Sequence, residues 1–182
     1  MIIKLFGGDI MDNSVKRIIA LLAGVILIIT FTAFILRQNG PKTTAVKFLE
    51  TYYTIEDTSS LNKLVKGDLK GLENELYTKY GDLLTKNALE TAIANRVILE
   101  GERAAYDIGC ILRFKSAVVF KEQNISHNKA YTYEVTAIVR YEDGTDKEIK
   151  QNGNLIMVKE DGKWKIDSFK TKTGGLRQDM KK

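Results

Sequence analysis

The residue types that most often carry chemistry are scarce in this sequence, which has one histidine, His127, and one cysteine, Cys110. One thiol cannot form an intramolecular disulfide, and one cysteine with one histidine cannot complete a zinc site. His127 lies in a polar Asn-Ile-Ser-His-Asn turn, as a solvated loop histidine does. Cys110 lies in an apolar run without a basic neighbour, which favours a small core residue over a nucleophile. We therefore expect no catalytic residue, no metal site, no cofactor and no enzymatic activity.

Tyrosines form the most suggestive pattern, because Tyr131, Tyr133 and Tyr141 share one face of a predicted strand. Tyrosine offers apolar area and a hydroxyl together, so the row could line a ligand pocket or a partner surface. The alternative is a sheet face packed under helices. Tyr106 and Asp107 begin the first predicted strand and could lie at the mouth of a pocket, although spacing alone does not bring them together.

Two further residues are predicted to be structural, Gly162 and Trp164. Gly162 belongs to the sequence Glu-Asp-Gly-Lys over 160–163, which predicts a tight hairpin turn. Trp164 follows directly, and its indole is expected to be buried in the core beside that turn.

The net charge of +5 is concentrated at the two ends of the chain. Residues 1–42 carry +3 and residues 171–182 carry +3, which leaves −1 for residues 43–170. A nucleic-acid-binding domain would be expected to concentrate positive charge on its folded part. We therefore expect no nucleic-acid partner.

A membrane anchor is predicted at residues 18–36, which are nineteen residues without a charge between Lys16-Arg17 and Arg37. At about 1.5 Å per residue a helix of this length spans roughly 28 Å, close to the thickness of the hydrocarbon layer. A cleaved signal peptide is the alternative, but its apolar run is usually shorter and ends in a small-x-small cleavage site. We expect a single-pass protein of the cell membrane that contacts the bilayer through 18–36.

The orientation and the start of the chain are separate expectations. Positive charge is balanced across 18–36, so the charge rule gives no orientation. The common arrangement of a short tail before one helix places the large domain outside the cytoplasm. Residues 1–10 lack periodicity, and Gly7-Gly8-Asp9 can be encoded by a ribosome-binding sequence, so translation is predicted to start at Met11. Ordinary coding sequence is the alternative.

The soluble part is predicted to be α+β, with three helices followed by an antiparallel sheet of about four strands. A short tail (1–17), the anchor and a linker (37–42) precede one domain at 43–170, and 171–182 is predicted to be a basic flexible tail. The helices start near Thr43 or Thr44, near Thr58 with Gly67 and Gly71 as potential breaks, and at Thr85, with Gly101 as a stop. The strands are predicted at 106–121, which is long enough to need a bulge or bend, at 130–142, at 147–159 with a bulge at Gly153, and at 164–169.

The order of these elements and the final hairpin carry a resemblance. The segment 158–169 reads Val-Lys-Glu-Asp-Gly-Lys-Trp-Lys-Ile-Asp-Ser-Phe, which is an apolar strand, an acidic-Gly turn, then Trp and an apolar residue two positions later. Together with the preceding helices this resembles the nuclear transport factor two-like, cystatin-like superfamily over about 43–170. The resemblance implies a cone in which helices pack on a curved sheet. Fold does not give function.

Three functions compete on this basis, and the third, an enzyme, is disfavoured because no catalytic candidate is found. The first is a membrane-anchored extracytoplasmic scaffold that binds other envelope proteins; it is similar, in architecture only, to bitopic assembly components of type IV secretion and conjugation machines. A homo-oligomer is a further option. The second is a membrane-tethered cone that binds a small ligand or peptide. A filled cone with an exposed apolar patch would favour the scaffold, and an open apolar cavity would favour the ligand-binding cone.

Overall fold

The computed structural model describes residues 40–125, 128–171 and 175–181, together with the single position 23. Residues 39–182 form one compact unit. The predicted tail 1–17, the rest of the predicted anchor 18–36 and His127 lie outside the described residues. Among the helices that are described, none is long and apolar enough to cross a membrane.

The described part is α+β, with six α-helices and a four-stranded antiparallel sheet. The predicted class and strand number are therefore confirmed, whereas the predicted number of three helices is wrong. The helices are α1 (Pro41–Tyr52), α2 (Ser59–Val65), α3 (Leu69–Tyr80), α4 (Lys86–Ala94), α5 (Glu100–Ile108) and α6 (Leu176–Met180), with a 3₁₀ turn at Val97–Leu99 before α5.

The first helix begins earlier than predicted. Pro41 is its first residue, a position that suits proline because no intrahelical partner exists there for a backbone N–H. The last part of the predicted linker 37–42 therefore belongs to α1, and neither Thr43 nor Thr44 caps the helix. Phe48 and Leu49 on this helix are buried.

Two of the predicted helix boundaries are confirmed. The chain leaves α2 through Gly67, whose φ of 74° is readily adopted only by glycine. The Thr85 hydroxyl accepts a hydrogen bond from the backbone N–H of Ala88 at 3.1 Å and so caps α4. Gly71, the second predicted break, lies inside α3 and donates its N–H to the capping carboxylate of Asp68 at 3.0 Å.

Helix α5 is missing from the sequence-based prediction. The sequence predicts that Gly101 stops a helix, but it is buried inside α5, where an added Cβ would lie 2.5 Å from Cδ1 of Ile55. The glycine is there for close packing rather than for termination. The helix instead ends at Gly109, which has a φ of 69°, so Tyr106 and Asp107 are helical and do not begin a strand.

The sheet has the strand order β1-β2-β3-β4, with every pair antiparallel. Its strands are β1 (Cys110–Ile125), β2 (Asn128–Tyr141), β3 (Asp146–Glu160) and β4 (Lys163–Thr171). The register between β1 and β2 shifts between Phe114 and Ser116 and again between Lys121 and Gln123. These irregularities confirm the prediction that so long a first strand needs a bulge or bend.

The inner face of the sheet forms the core. Every second residue of β2 from Tyr131 onwards is buried, which confirms the predicted alternation along this strand. Helix α1 packs against β1 and β4, and the Phe48 ring lies 4.9 Å from that of Phe169 between ring centres. The Tyr52 ring lies 5.4 Å from the same phenylalanine. An aromatic layer therefore joins α1 to β4.

Gly153 is not the bulge that the sequence predicted. It pairs in regular register with Tyr133 on β2 and Thr171 on β4. An added Cβ would clash with the backbone carbonyl oxygen of Lys170 and would lie 2.6 Å from the Tyr133 hydroxyl. The glycine therefore makes room for a tyrosine in the layer above it.

The end of the chain also differs from the prediction of a flexible tail at 171–182. Residues 176–180 form α6, and both Leu176 and Met180 are buried. The Tyr141 hydroxyl donates to the Met180 carbonyl oxygen at 2.8 Å, which ties α6 to the end of β2. The two apolar residues are four apart and therefore lie on one side of the helix, a signal too short to stand out among charged neighbours.

Candidate functional site

An apolar groove lies on the helical side of the unit, between α2, the 3₁₀ turn and α5. Its volume is about 710 Å³. Its apolar lining comes from the end of α2, the 3₁₀ turn and one face of α5, and consists of Leu61, Leu64, Val65, Val97, Leu99 and Tyr106. The groove is open to solvent, so its lining is available to a partner.

Three side chains make this groove unusual, because Val65 is 79% exposed, Tyr106 64% and Val97 39%. Single exposed apolar residues are ordinary on protein surfaces. Three large ones that line the same groove form a patch, and such patches mark interaction sites.

Charged residues surround the apolar part of the groove. Arg96 and Glu100 stand near the 3₁₀ turn, and Arg103 and Asp107 lie along α5. The Arg177 guanidinium lies 3.1 Å from the Asp107 carboxylate, which links α6 to this rim. An apolar centre with a polar rim is the usual anatomy of a protein–protein interface.

The two helices that flank the groove are joined by a buried carboxylate, Glu102 on α5. It accepts a hydrogen bond from the backbone N–H of Leu61 at 3.1 Å, and Lys79 lies 3.9 Å away. The Ser60 hydroxyl lies 2.9 Å from Glu102 and 2.7 Å from Glu75. This network holds α2 against α5 and so fixes the width of the groove.

The single hydroxyl hydrogen of Ser60 limits the hydrogen bonds that this network can form. A serine hydroxyl carries a single hydrogen, so Ser60 can donate to only one of the two carboxylates. Burial raises the pKa of Glu102, and hydrogen bonds from Ser60 and Leu61 oppose this only in part. Protonated Glu102 can donate to Ser60 while Ser60 donates to Glu75, which satisfies all three groups.

Glu102→Gln is therefore expected to stabilise the protein near neutral pH and to have little effect in acid. Because the pKa of Glu102 is raised, folding favours its neutral carboxyl group. The stability that the neutral group contributes is fully present below the pKa of the unfolded state, and it is lost as the pH rises through the pKa of the folded state. The glutamine amide can donate to Ser60 and its oxygen can accept from Leu61. Urea denaturation of both proteins from pH 4 to pH 8 measures the difference. A variant that is less stable at neutral pH would show that Glu102 works as an anion.

The tyrosine row lies in the interior, since Tyr131, Tyr133 and Tyr141 are all buried. They cannot form a partner surface in this state. The hydroxyl oxygens of Tyr53 and Tyr133 are 3.5 Å apart, and burial raises the pKa of Tyr53 far above its ordinary value. These side chains therefore belong to the core of the described unit, and none of them lines the groove.

Trp164 is half-buried and not the core anchor that the sequence predicted. The ammonium groups of Lys129 and Lys159 lie 4.5 and 5.5 Å from the centre of its ring. Gly162, with a φ of 78°, lies in the preceding turn beside Asp161, whose φ is 51°. Two positive φ values are characteristic of a type I′ hairpin turn, so the glycine has a conformational role.

Trp164→Ala is consequently expected to cost about 1–2 kcal/mol, less than the 3–5 kcal/mol typical of a fully buried tryptophan. The substitution removes a half-buried indole and its contacts with two lysines. Urea denaturation measures the change in the free energy of unfolding. A loss above about 4 kcal/mol would place the indole in the core after all.

The remaining candidates that the structure describes are Cys110, Tyr106 and Asp107. Cys110 is half-buried at the start of β1, and burial raises the pKa of its thiol, which disfavours the reactive thiolate. Asp107 and Tyr106 both contribute to the groove, a role that their assignment to a strand concealed. Within residues 40–125, 128–171 and 175–181, no three His, Cys, Asp or Glu side chains are grouped to hold a metal ion.

No protein-family model matches the sequence, and no curated protein matches it. Among solved structures the chain is similar to TraH, which is named as a transfer protein of the Gram-positive conjugative plasmid pIP501. The identity is 14% and the TM-score 0.46, over 75% of this chain and 94% of TraH. It is also similar to Aln2 from a Streptomyces species, with 15% identity and a TM-score of 0.36, over 62% of this chain and 81% of Aln2. Both likenesses are too distant to assign a function to the groove.

Proposed function

We propose that residues 40–181 form a protein-interaction domain that binds another envelope protein through the groove between α2 and α5. The observation that carries this proposal is the joint exposure of Val65, Val97 and Tyr106 in one groove. A partner that inserts an apolar side chain or a short apolar segment would remove these surfaces from water. At about 25 cal/mol per Å² of apolar surface buried, such a contact stabilises a complex appreciably.

The filled interior supports an interaction domain over the ligand-binding cone. A cone that holds a ligand needs a cavity lined by the inner face of its sheet. Here that face carries Tyr131 and Tyr133, which are both buried, and Gly153 leaves room for Tyr133. The available apolar surface is therefore on the outside.

The finer parts of the proposal come from the sequence. The domain is carried by a retained transmembrane helix at 18–36, faces away from the cytoplasm and acts as a scaffold in an envelope assembly such as a conjugation or secretion machine. The cystatin-like cone is supported by the order of elements, helices followed by an antiparallel sheet. We further propose that the domain has no catalytic role, binds neither metal nor cofactor, and does not bind nucleic acid, in keeping with the charge of −1 over 43–170.

The test is a pair of charge substitutions in the groove of the full-length protein. Val65→Glu with Tyr106→Glu is expected to reduce copurification of a membrane-derived partner by about tenfold or more, because burial of an unpaired carboxylate is costly. Both side chains are exposed in the isolated domain, so its melting temperature should change little.

The matched control places two carboxylates elsewhere, as Ser168→Glu with Lys170→Glu on the exposed outer face of β4. This variant is expected to retain the partner. Equal recovery of the same partner by the folded groove variant and by wild type would refute the proposal.

A further inference from the structure

The free edge of the sheet is β1, and only its first part is covered. Ile55 and Leu112 exchange two backbone hydrogen bonds of 2.7 and 2.9 Å across that edge. Among the described residues, no other strand or bridge pairs with β1 on the side away from β2. A long uncovered edge strand is a template for pairing with another strand.

The register shows which backbone groups point outwards. The backbone N–H and C=O of Leu112 are hydrogen-bonded to Ile55. Both groups therefore point away from Val139, the residue that pairs with Leu112 on β2. In an antiparallel pair this orientation repeats at every second residue of β2. Counting in steps of two from Val139 along β2 reaches Val135 and Tyr133. Val135 pairs with Ala117 on β1, and Tyr133 pairs with Val119. Ala117 and Val119 therefore present backbone donors and acceptors at the free edge.

The side chains on this stretch are apolar and accessible. Val118 is 52% exposed and Phe120 48%, both on the outer face of the sheet. The stretch from Ser116 to Lys121 pairs regularly with β2, between the two register shifts. Residues 116–120 carry no charge. The edge thus offers a short, regular, uncharged segment with two exposed apolar side chains.

We infer that this edge pairs with the same edge of a second copy of the chain, antiparallel and two-fold symmetric about Val119. In this register Val118 lies opposite Phe120 of the second copy, and the symmetric pair repeats the contact. Val119 lies opposite itself, and Ala117 lies opposite Lys121. About six backbone hydrogen bonds join the two sheets, because Ala117, Val119 and Lys121 point outwards in each copy.

The register shifts and the charges together favour this register, because pairing centred on Val119 keeps residues 117–121 inside the regular stretch. A pairing centred one residue earlier, on Val118, would place Lys115 opposite Lys121, and like charges in that position are destabilising. In the register centred on Val119, Lys121 lies opposite Ala117 instead. This surface is separate from the groove, since β1 contributes no residue to the groove lining.

Disulfide crosslinking tests the register directly. Full-length chains in detergent carry Cys110→Ala together with either Val118→Cys or Phe120→Cys, under different tags. Opposed residues of a non-hydrogen-bonded pair lie about 4.5 Å apart between Cα atoms, within disulfide range. The mixture is expected to give at least about tenfold more oxidised dimer than either variant alone, because like positions are offset by two residues. Equal yields in the mixture and in the single variants would overturn the inference.

Proline substitutions provide a second test with a matched control. Val119→Pro removes an N–H that points to the free edge, so the protein is expected to stay folded and become monomeric. Val118→Pro removes an N–H that points to β2 and is expected to destabilise the fold. Wild type should have twice the 20.5 kDa chain mass after correction for detergent. A monomeric wild type, or a folded Val119→Pro variant that remains dimeric, would contradict the pairing.

Discussion

Gly153→Ala is expected to destabilise the domain by about 3 kcal/mol, a large part of the total stability of a typical domain. The new methyl group would meet the backbone carbonyl oxygen of Lys170, which belongs to a paired strand and cannot rotate away. It would also lie 2.6 Å from the Tyr133 hydroxyl. Chemical denaturation measures the loss. Asn154→Ala is the control on the same strand, because its buried Oδ1 has no hydrogen-bond partner among the described residues and its removal should be nearly neutral.

A double-mutant cycle separates the two contacts. With Tyr133→Phe in place, Gly153→Ala should cost only slightly less, because the hydroxyl is gone but Cζ of the ring stays 2.7 Å from the new methyl group. It should still cost more than about 1 kcal/mol because the Lys170 carbonyl also remains. A Gly153→Ala variant as stable as wild type would show that the sheet relaxes at this point. This result would contradict the claim that Tyr133 needs a glycine at position 153 of β3.

Tyr133→Ala is expected to cost about 3–5 kcal/mol, since it empties a fully buried position in the middle of the inner face. Tyr133→Phe should cost only about 1 kcal/mol, because it removes the 3.5 Å contact with the Tyr53 hydroxyl but keeps the ring. Comparison of the two variants by urea denaturation assigns most of the loss to the ring. Equal losses would mean that the hydroxyl pair, rather than the packing, stabilises this layer.

The periodic parts of the sequence predicted the fold well. Strand β2 alternates from Tyr131 to Tyr141 without interruption, and one buried face follows from that pattern alone. Thr85 has the expected side chain directly before a helix, and its cap is present. These signals are local, so the sequence contains all that is needed to recognise them.

The errors arose where tertiary contacts override a local signal. Gly101 resembles a helix stop, but its role is to let Ile55 approach α5, and the sequence does not show that contact. The same misassignment placed Tyr106 on a strand and hid the groove. Trp164 follows a hairpin as a core tryptophan would, yet it is only partly buried at the border of the core, and Lys129 and Lys159 lie over its ring. Both errors involve a residue far away along the chain, Ile55 for Gly101 and Lys129 for Trp164.

The most direct measurement for the groove is site-specific photo-crosslinking in native membranes. A photoreactive phenylalanine analogue at position 106 tests the groove, and the same analogue at the exposed position 170 on β4 is the control. We expect one discrete crosslinked envelope protein from position 106 that is absent from position 170, and we expect Val65→Glu to abolish this product. No crosslink from position 106, or the same products from both positions, would contradict the claim that this groove binds a protein partner.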